Sequence, residues 1–298
     1  YINQDLPEIL PENNFYKEMV NIKRRPLLSI CISTYNRSAW VDISLKNLSR
    51  LLPNYNPDIE IVICDNASTD DTSDIVQPFL SRKDFSYYSN PVNVGIIGNL
   101  RITANHAAGK YIWILEDDNL IRIGCIEKII KIIRDNPDLA LIYLNYAYTR
   151  EKDASLVVNF EEFMDEAIPI SEPSKDFKGK VKEISTNSEN FFTAIYCLVF
   201  RRDHAIKAYS QDTSGRPLPT MLTCIPTTYY VLNYMMDEPG YWLGDPQIIV
   251  NMNMSWMKYA TIWISEMLPE THDIAEKMGA DKNKMDIHRG KHLSHISH

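Results

Sequence analysis

The stretch Tyr111-Ile112-Trp113-Ile114-Leu115-Glu116-Asp117-Asp118-Asn119 decides the class of fold. An unbroken apolar row suits a strand buried on both faces, as in a parallel sheet. The row stops abruptly at three acids and an amide. Folding has no use for such a cluster, because adjacent carboxylates repel one another and resist desolvation, and a divalent cation is the usual remedy. The plain alternative is a strand end followed by a solvated acidic turn, and the residues upstream separate the two.

Working outward, Leu27 to Ser33 is a second short apolar run, and it ends at Thr34-Tyr35-Asn36-Arg37. A helical stripe of Val41, Leu45, Leu48, Leu51 and Leu52 follows and Pro53 stops it. Strand Ile59 to Cys64 runs into Asp65-Asn66-Ala67-Ser68-Thr69-Asp70-Asp71-Thr72, whose polar side chains cap a helix over Ser73 to Leu80. Phe85 to Tyr88 is a third strand, leading into Asn90-Pro91-Val92-Asn93-Val94-Gly95-Ile96-Ile97-Gly98-Asn99. A helix over Leu100 to Ala108 closes at Gly109. Repetition of strand, polar loop and helix gives a doubly wound α/β sheet, whose ligands sit beyond the carboxyl ends of its strands. One strand end rich in Asn and Asp is routine for a turn. Three from separate strands imply a shared crevice for a polar ligand.

Composition bounds the function. The 298 residues suffice for one large α/β domain with an appendage. A formal charge of −8 argues against a general nucleic-acid binder, which needs a basic surface. Cys31, Cys64, Cys125, Cys197 and Cys224 form no paired framework and read as reduced, buried thiols of a cytoplasmic protein. The longest apolar run, Phe191 to Phe200, is half of the roughly 20 residues a membrane span needs. No signal peptide is visible, and the start at Tyr1 is consistent with a piece of a longer chain carrying further domains.

The four motifs together resemble the family 2 glycosyltransferases of GT-A fold over Pro26 to Lys131. Ser33-Thr34-Tyr35-Asn36-Arg37 is similar to the opening motif, Cys64 to Thr72 to the second-strand motif, and Asn93-Val94-Gly95 with Gly98-Asn99 to the third. Leu115-Glu116-Asp117-Asp118-Asn119 resembles the DxD signature. Trp113 and the triple acid look similar to transferases that build bacterial surface polysaccharides. The resemblance implies a GT-A type, Rossmann-like doubly wound mixed sheet with a variable C-terminal acceptor region. It puts Thr34, Tyr35, Arg37, Asp65, Asn99 and Asp117 on a nucleotide sugar, a UDP-sugar by the family's habit. The resemblance also implies Asp118 as the direct ligand of Mn²⁺ or Mg²⁺, with Asp117 second and Glu116 third, reaching the ion through water or not at all. Hard cations prefer oxygen ligands and bridge phosphates, which makes these roles chemically sensible. Glu116 and Asn119 depart from the family's commoner residues. Arg37 reads equally well as a surface residue preceding a helix, and the GxxG of Gly95 and Gly98 as turn glycines.

Downstream, the expected elements are a helix over Ile121 to Ile133, a strand over Leu139 to Tyr143, a charged excursion over 149–190 read as a flap, and a buried strand over Phe191 to Phe200. The domain plan is a lead-in over 1–25, a nucleotide-sugar half over 26–145, an acceptor half over 146–260 and a helical tail over 261–298. Inverting transfer needs a general base. Asp212, in a polar loop after the last of these strands, is the candidate, with Asp237, Glu238 and Asp245 nearby. Trp256 and Trp263 read as core or docking positions, and His288 as part of a polar tail or as a neighbour of the diphosphate. The acceptor is a glycan or lipid-linked glycan, which places the chain in the cytoplasm, at the inner face of a membrane where association is peripheral. A non-catalytic glycan- or nucleotide-binding module is the rival; a sugar nucleotidyltransferase is disfavoured by the missing glycine-rich, arginine-containing opening loop.

Overall fold

The structure, a computed structural model, describes residues 25–149, 167–188, 190–213, 220–251 and 260–296. Residues 1–24, part of the expected excursion (150–166) and Trp256 lie outside them.

The first half alternates as expected: β1 (Leu28–Thr34), α1 (Ser38–Leu51), β2 (Ile59–Asp65), α2 (Thr72–Val76), β3 (Phe85–Ser89), α3 (Gly95–His106) and β4 (Tyr111–Glu116). Then come β5 (Leu120–Ile121), α4 (Cys125–Asp135), β6 (Leu141–Thr149), β7 (Ile168–Pro169), β8 (Phe177–Lys180), β9 (Leu198–Arg201), α5 (Arg202–Tyr209), α6 (Pro226–Tyr234) and β10 (Pro239–Asn251). The chain finishes with α7 (Leu268–Lys277), entered through a π-helical turn over Trp263–Met267, and α8 (Lys282–Ile296).

All the described strands belong to one mixed sheet with the path β3-β2-β1-β4-β9-β6-β10-β5, β7 pairing with β6 and β8 with β10 off that path. The β3, β2, β1 and β4 segment is parallel, and β9 is inserted antiparallel between β4 and β6. Helices cover both faces, so β1 and β4 are buried along almost their whole length, which explains their continuous apolar sequence. Val41, Leu45 and Leu48 turn one face of α1 onto the sheet, and Ile126, Ile129, Ile130 and Ile133 do the same for α4.

Register sets the site. Thr34 pairs with Asp65 across β1 and β2, and Ser33 pairs with Glu116 across β1 and β4. Three strands therefore end level, and their polar loops open onto one crevice.

Several local readings are corrected. Of the apolar run Phe191 to Phe200 only the last three residues are strand, the start of β9. Phe191 and Phe192 sit at positive φ (46° and 66°) in a turn while fully buried; apolarity reported burial there, not extension. Phe177–Lys180 is no flap but a strand paired with Pro239–Trp242. The helix after the acidic cluster starts at Cys125, because Leu120–Ile121 is diverted to pair with Ile248 and Ile249. Helix α3 begins at Gly95, where φ is +74°, and ends at His106. Gly109 is thus no helix cap: a Cβ there would lie 2.5 Å from the Ser29 hydroxyl and 2.7 Å from its amide nitrogen. Four cysteines are buried, and Cys224 is exposed.

Candidate active site

Asn36 brings the first two loops together. It adopts a left-handed backbone (φ 53°), tolerable for asparagine. Its amide donates to Ser68 Oγ at 2.8 Å, and its side-chain oxygen accepts from the Thr69 amide at 2.7 Å. Asp70 reinforces the join by accepting from the Ser38 amide at 2.9 Å. The backbone on both sides of Arg37 is therefore tied to the end of β2.

Asp65, buried at the end of β2, accepts from the Ser68 amide (3.0 Å) and hydroxyl (2.5 Å), and from the Tyr87 hydroxyl at 2.8 Å. Burial, followed by the hydrogen bond and charge of Asp65, pushes the Tyr87 hydroxyl up to about 12. Asn66 bonds Asn93 and Asn90 and accepts from the Val94 amide, closing the third loop onto the second. Asn99 is a buried brace. Its amide nitrogen donates to Ser33 Oγ (2.7 Å) and the Cys64 carbonyl (3.2 Å), and its oxygen accepts from Asn90. Tyr35 projects from the first loop, 43 % exposed.

The acidic cluster divides. Asp117 Oδ2 accepts from the Thr34 hydroxyl at 2.6 Å, while its Oδ1 lies 2.6 Å from Arg37 Nε. Asp118 Oδ2 accepts from Arg37 at 2.5 Å. Arg37 thus spans two nearly buried carboxylates, with its own side chain half-buried. Its pKa is raised: burial alone lowers it, and the charges of Asp117 and Asp118 outweigh that. Burial pushes Asp117 up to about 6 against the pull of Arg37, and Asp118 is raised for the same reasons. Glu116, the last residue of β4, lines a cavity of about 790 Å³. Burial, then the charges of Asp118 and Asp117, raise Glu116 to about 8. Asn119 holds the turn by accepting from the Glu116 amide at 2.9 Å.

That cavity is walled by Tyr146, Tyr148 and Tyr196, by Ile96 and Ile97 of α3, and by Trp263, His272 and His288 of the C-terminal helices. His272 and His288 pack edge-on against Phe191 at 5.0 and 4.8 Å. Among the described residues lining the cavity, Glu116 is the one carboxylate. Asp212 follows α5, exposed and outside that lining. The tyrosine wall escaped the sequence reading; the period-two spacing of Tyr146 and Tyr148 along β6 was its available signal.

Among the described residues, no group of three or more His, Cys, Asp or Glu is placed to hold a metal ion. Asp117 and Asp118 alone still suit a hard cation, which commonly takes one or two carboxylates and completes its shell with phosphate and water. The fit rests on these two acids, with Glu116 close enough to feel the charge of both.

Solved structures similar to this fold include sugar transferases of GT-A architecture. The Staphylococcus aureus TarS 1–349 complex with UDP-GlcNAc matches at a TM-score of 0.56 and 12 % identity, covering 84 % of this chain and 71 % of that one. The mannosyltransferase PcManGT of Pyrobaculum calidifontis, solved with GDP-Man and Mn²⁺, matches at 0.55 and 15 %, covering 92 % and 71 %. Residues 29–206, more than half of the chain, match the Glycosyl transferase family 2 profile, and the chain belongs to that family. Among curated relatives, abequosyltransferase RfbV of Salmonella typhimurium is 36 % identical over 97 residues, covering 32 % of this chain and 29 % of that protein. A GalNAc(5)-diNAcBac-PP-undecaprenol beta-1,3-glucosyltransferase of Campylobacter jejuni is 26 % identical over 132 residues, covering 44 % and 41 %. The matched stretch spans less than half the length of either relative. No described helix is long and apolar enough to cross a membrane.

Proposed function

We propose that this chain is an inverting glycosyltransferase that moves a sugar from a nucleoside diphosphate sugar, with UDP favoured, to a glycan or lipid-linked glycan in the synthesis of a bacterial polysaccharide. One observation carries this reading: level strand ends put Thr34, Asp65, Asp117 and Asp118 around one crevice that adjoins the cavity over Glu116. The named activities of the relatives, abequosyl and glucosyl transfer, support the class of reaction.

In this reading Tyr35 and Asp65 receive the nucleobase, Asp117 faces the ribose, and Asp118 with Asp117 holds Mn²⁺ or Mg²⁺. The cation, when bound, offsets charge on the departing diphosphate. The residues of the chain do the rest. The Asn36 bridge fixes the first two loops relative to each other, so a nucleotide meets a preformed edge. The tyrosine-lined cavity orients the acceptor hydroxyl and keeps competing water away from the anomeric carbon. Asp212 remains the candidate base, in the loop leading to residues 214–219.

The test is turnover. Thermal-shift screening with UDP, dTDP, GDP and CDP, each with and without Mn²⁺, identifies the donor. Transfer to glycan acceptors is then measured for the wild type, Asp118→Ala and Asp212→Asn. Loss of transfer in folded Asp118→Ala is expected. Unchanged turnover there, or nucleotide binding with no transfer to any acceptor, would return the chain to a binding role.

A further inference from the structure

Arg37 is placed where a cation would have to go. Its guanidinium touches Asp117 Oδ1 at 2.6 Å and Asp118 Oδ2 at 2.5 Å. The other Asp117 oxygen is taken by Thr34 at 2.6 Å, and the other Asp118 oxygen faces the Asn119 amide at 3.4 Å. Every oxygen of the pair is thus already engaged inside the protein. A Mg²⁺ or Mn²⁺ ion needs oxygens at about 2.1 Å with its own charge unopposed, and a guanidinium on the same atoms excludes it by both contact and repulsion.

The two ends of Arg37 differ in freedom. Its backbone is locked, because Asn36 is bonded to Ser68 and Thr69 and the Arg37 carbonyl accepts from the Trp40 and Val41 amides to start α1. Its side chain is one-third exposed at the mouth of the crevice, and the indole of Trp40 lies beneath it at 5.8 Å. A guanidinium released from the acids therefore stays tethered within the crevice, where the planar fork suits phosphate oxygens.

We propose that Arg37 is the resident counter-ion of the Asp117–Asp118 pair, that divalent cation and guanidinium compete for these carboxylates, and that cation entry turns Arg37 onto the donor's diphosphate. This rests on the reading of the acid pair as a cation site. Arg37 acts as a positioning residue: without cation it neutralises two buried acids and keeps the crevice closed to stray metal, and with cation and nucleotide it clamps the leaving group. Cation and nucleoside diphosphate then bind cooperatively, since each makes room for the other.

The experiment is binding, not turnover. The full chain and its Arg37→Gln and Arg37→Lys variants are titrated with Mn²⁺ while free ion is followed by electron paramagnetic resonance, first alone and then with UDP. Competition predicts that Arg37→Gln binds Mn²⁺ alone about tenfold more tightly than the wild type, and binds UDP at saturating Mn²⁺ more weakly. Arg37→Lys, which keeps one charge on a point donor and protects the fold, falls between on both counts. Circular dichroism confirms that each variant is folded. Mn²⁺ affinity that is unchanged or weakened in both variants, while the wild type binds Mn²⁺ with UDP, overturns the competition and leaves the transferase reading standing. If no form binds Mn²⁺ even with UDP, the cation site itself is lost, and the competition with it.

Discussion

Thr34 donates its hydroxyl hydrogen to Asp117 Oδ2 at 2.6 Å across the ends of β1 and β4. Both side chains are nearly fully buried, so the bond supplies a carboxylate with part of what water would have given it. Replacing Thr34 by Val keeps the shape and removes the donor. An unsatisfied buried acceptor costs about 1–3 kcal/mol, more where it is charged. Urea unfolding in metal-free buffer should show a loss of that size for Thr34→Val and little for Thr34→Ser.

Asn99 is expected to matter through the scaffold. Its side chain joins Ser33 at the end of β1 to the Cys64 carbonyl at the end of β2 and takes a bond from Asn90. Asn99→Ala should therefore lower stability by about 2 kcal/mol, with a parallel loss of UDP affinity as the loops separate. The measurement is denaturant unfolding beside calorimetric titration. Weakened UDP binding at unaltered stability would instead put the amide on the nucleotide itself.

Glu116 gives the metal-free protein a pH dependence of definite sign. Its pKa rises from an ordinary carboxylate value to about 8, through burial first and the neighbouring acids second. The folded state then holds a proton that the unfolded state has released, so stability falls as pH rises from about 4.5 toward 8. Asp117, raised to about 6, adds to the same slope at its lower end. Melting temperatures recorded with EDTA between pH 5 and 9 should decline for the wild type and flatten in Glu116→Gln. A wild-type profile that is flat or rises over this window contradicts the buried placement of Glu116.

The fold was legible because parallel strands covered on both faces leave unbroken apolar rows, as β1 and β4 do, and because each row ends in a polar loop. Asp65, Asp117 and Asp118 were legible for the same reason, being polar residues where register had to collect them. What the sequence could not show was direction. Glu116 and Asp117 are neighbours in sequence, yet one ends the strand and lines a cavity while the other begins the turn and meets Arg37. Arg37 was ambiguous because its partners lie about 80 positions away. The Phe191 to Phe200 run was misjudged because buried turns and buried strands share the same composition, and the turn is held by long-range bonds such as those of Tyr143 to the Asn190 side chain and the Phe192 amide. Gly109 was misassigned because close approach to Ser29 leaves no local signal.

Ala194 offers the means of separating donor from acceptor. It is buried and lines the cavity with Tyr196, a cavity whose lining does not include Arg37. A large side chain there has open volume to enter, since the cavity holds about 790 Å³, so Ala194→Trp should fill space without the strain of overpacking a closed core, which costs about 1–3 kcal/mol. The elements that would carry the nucleotide, the ends of β1, β2 and β4, are untouched. Transfer to acceptor should fall at least about tenfold, roughly 1.4 kcal/mol of transition-state binding, while UDP affinity and the melting temperature stay near wild type. Initial rates across acceptor concentrations decide the matter: an acceptor that binds elsewhere leaves these rates unaffected, and the cavity then loses its role.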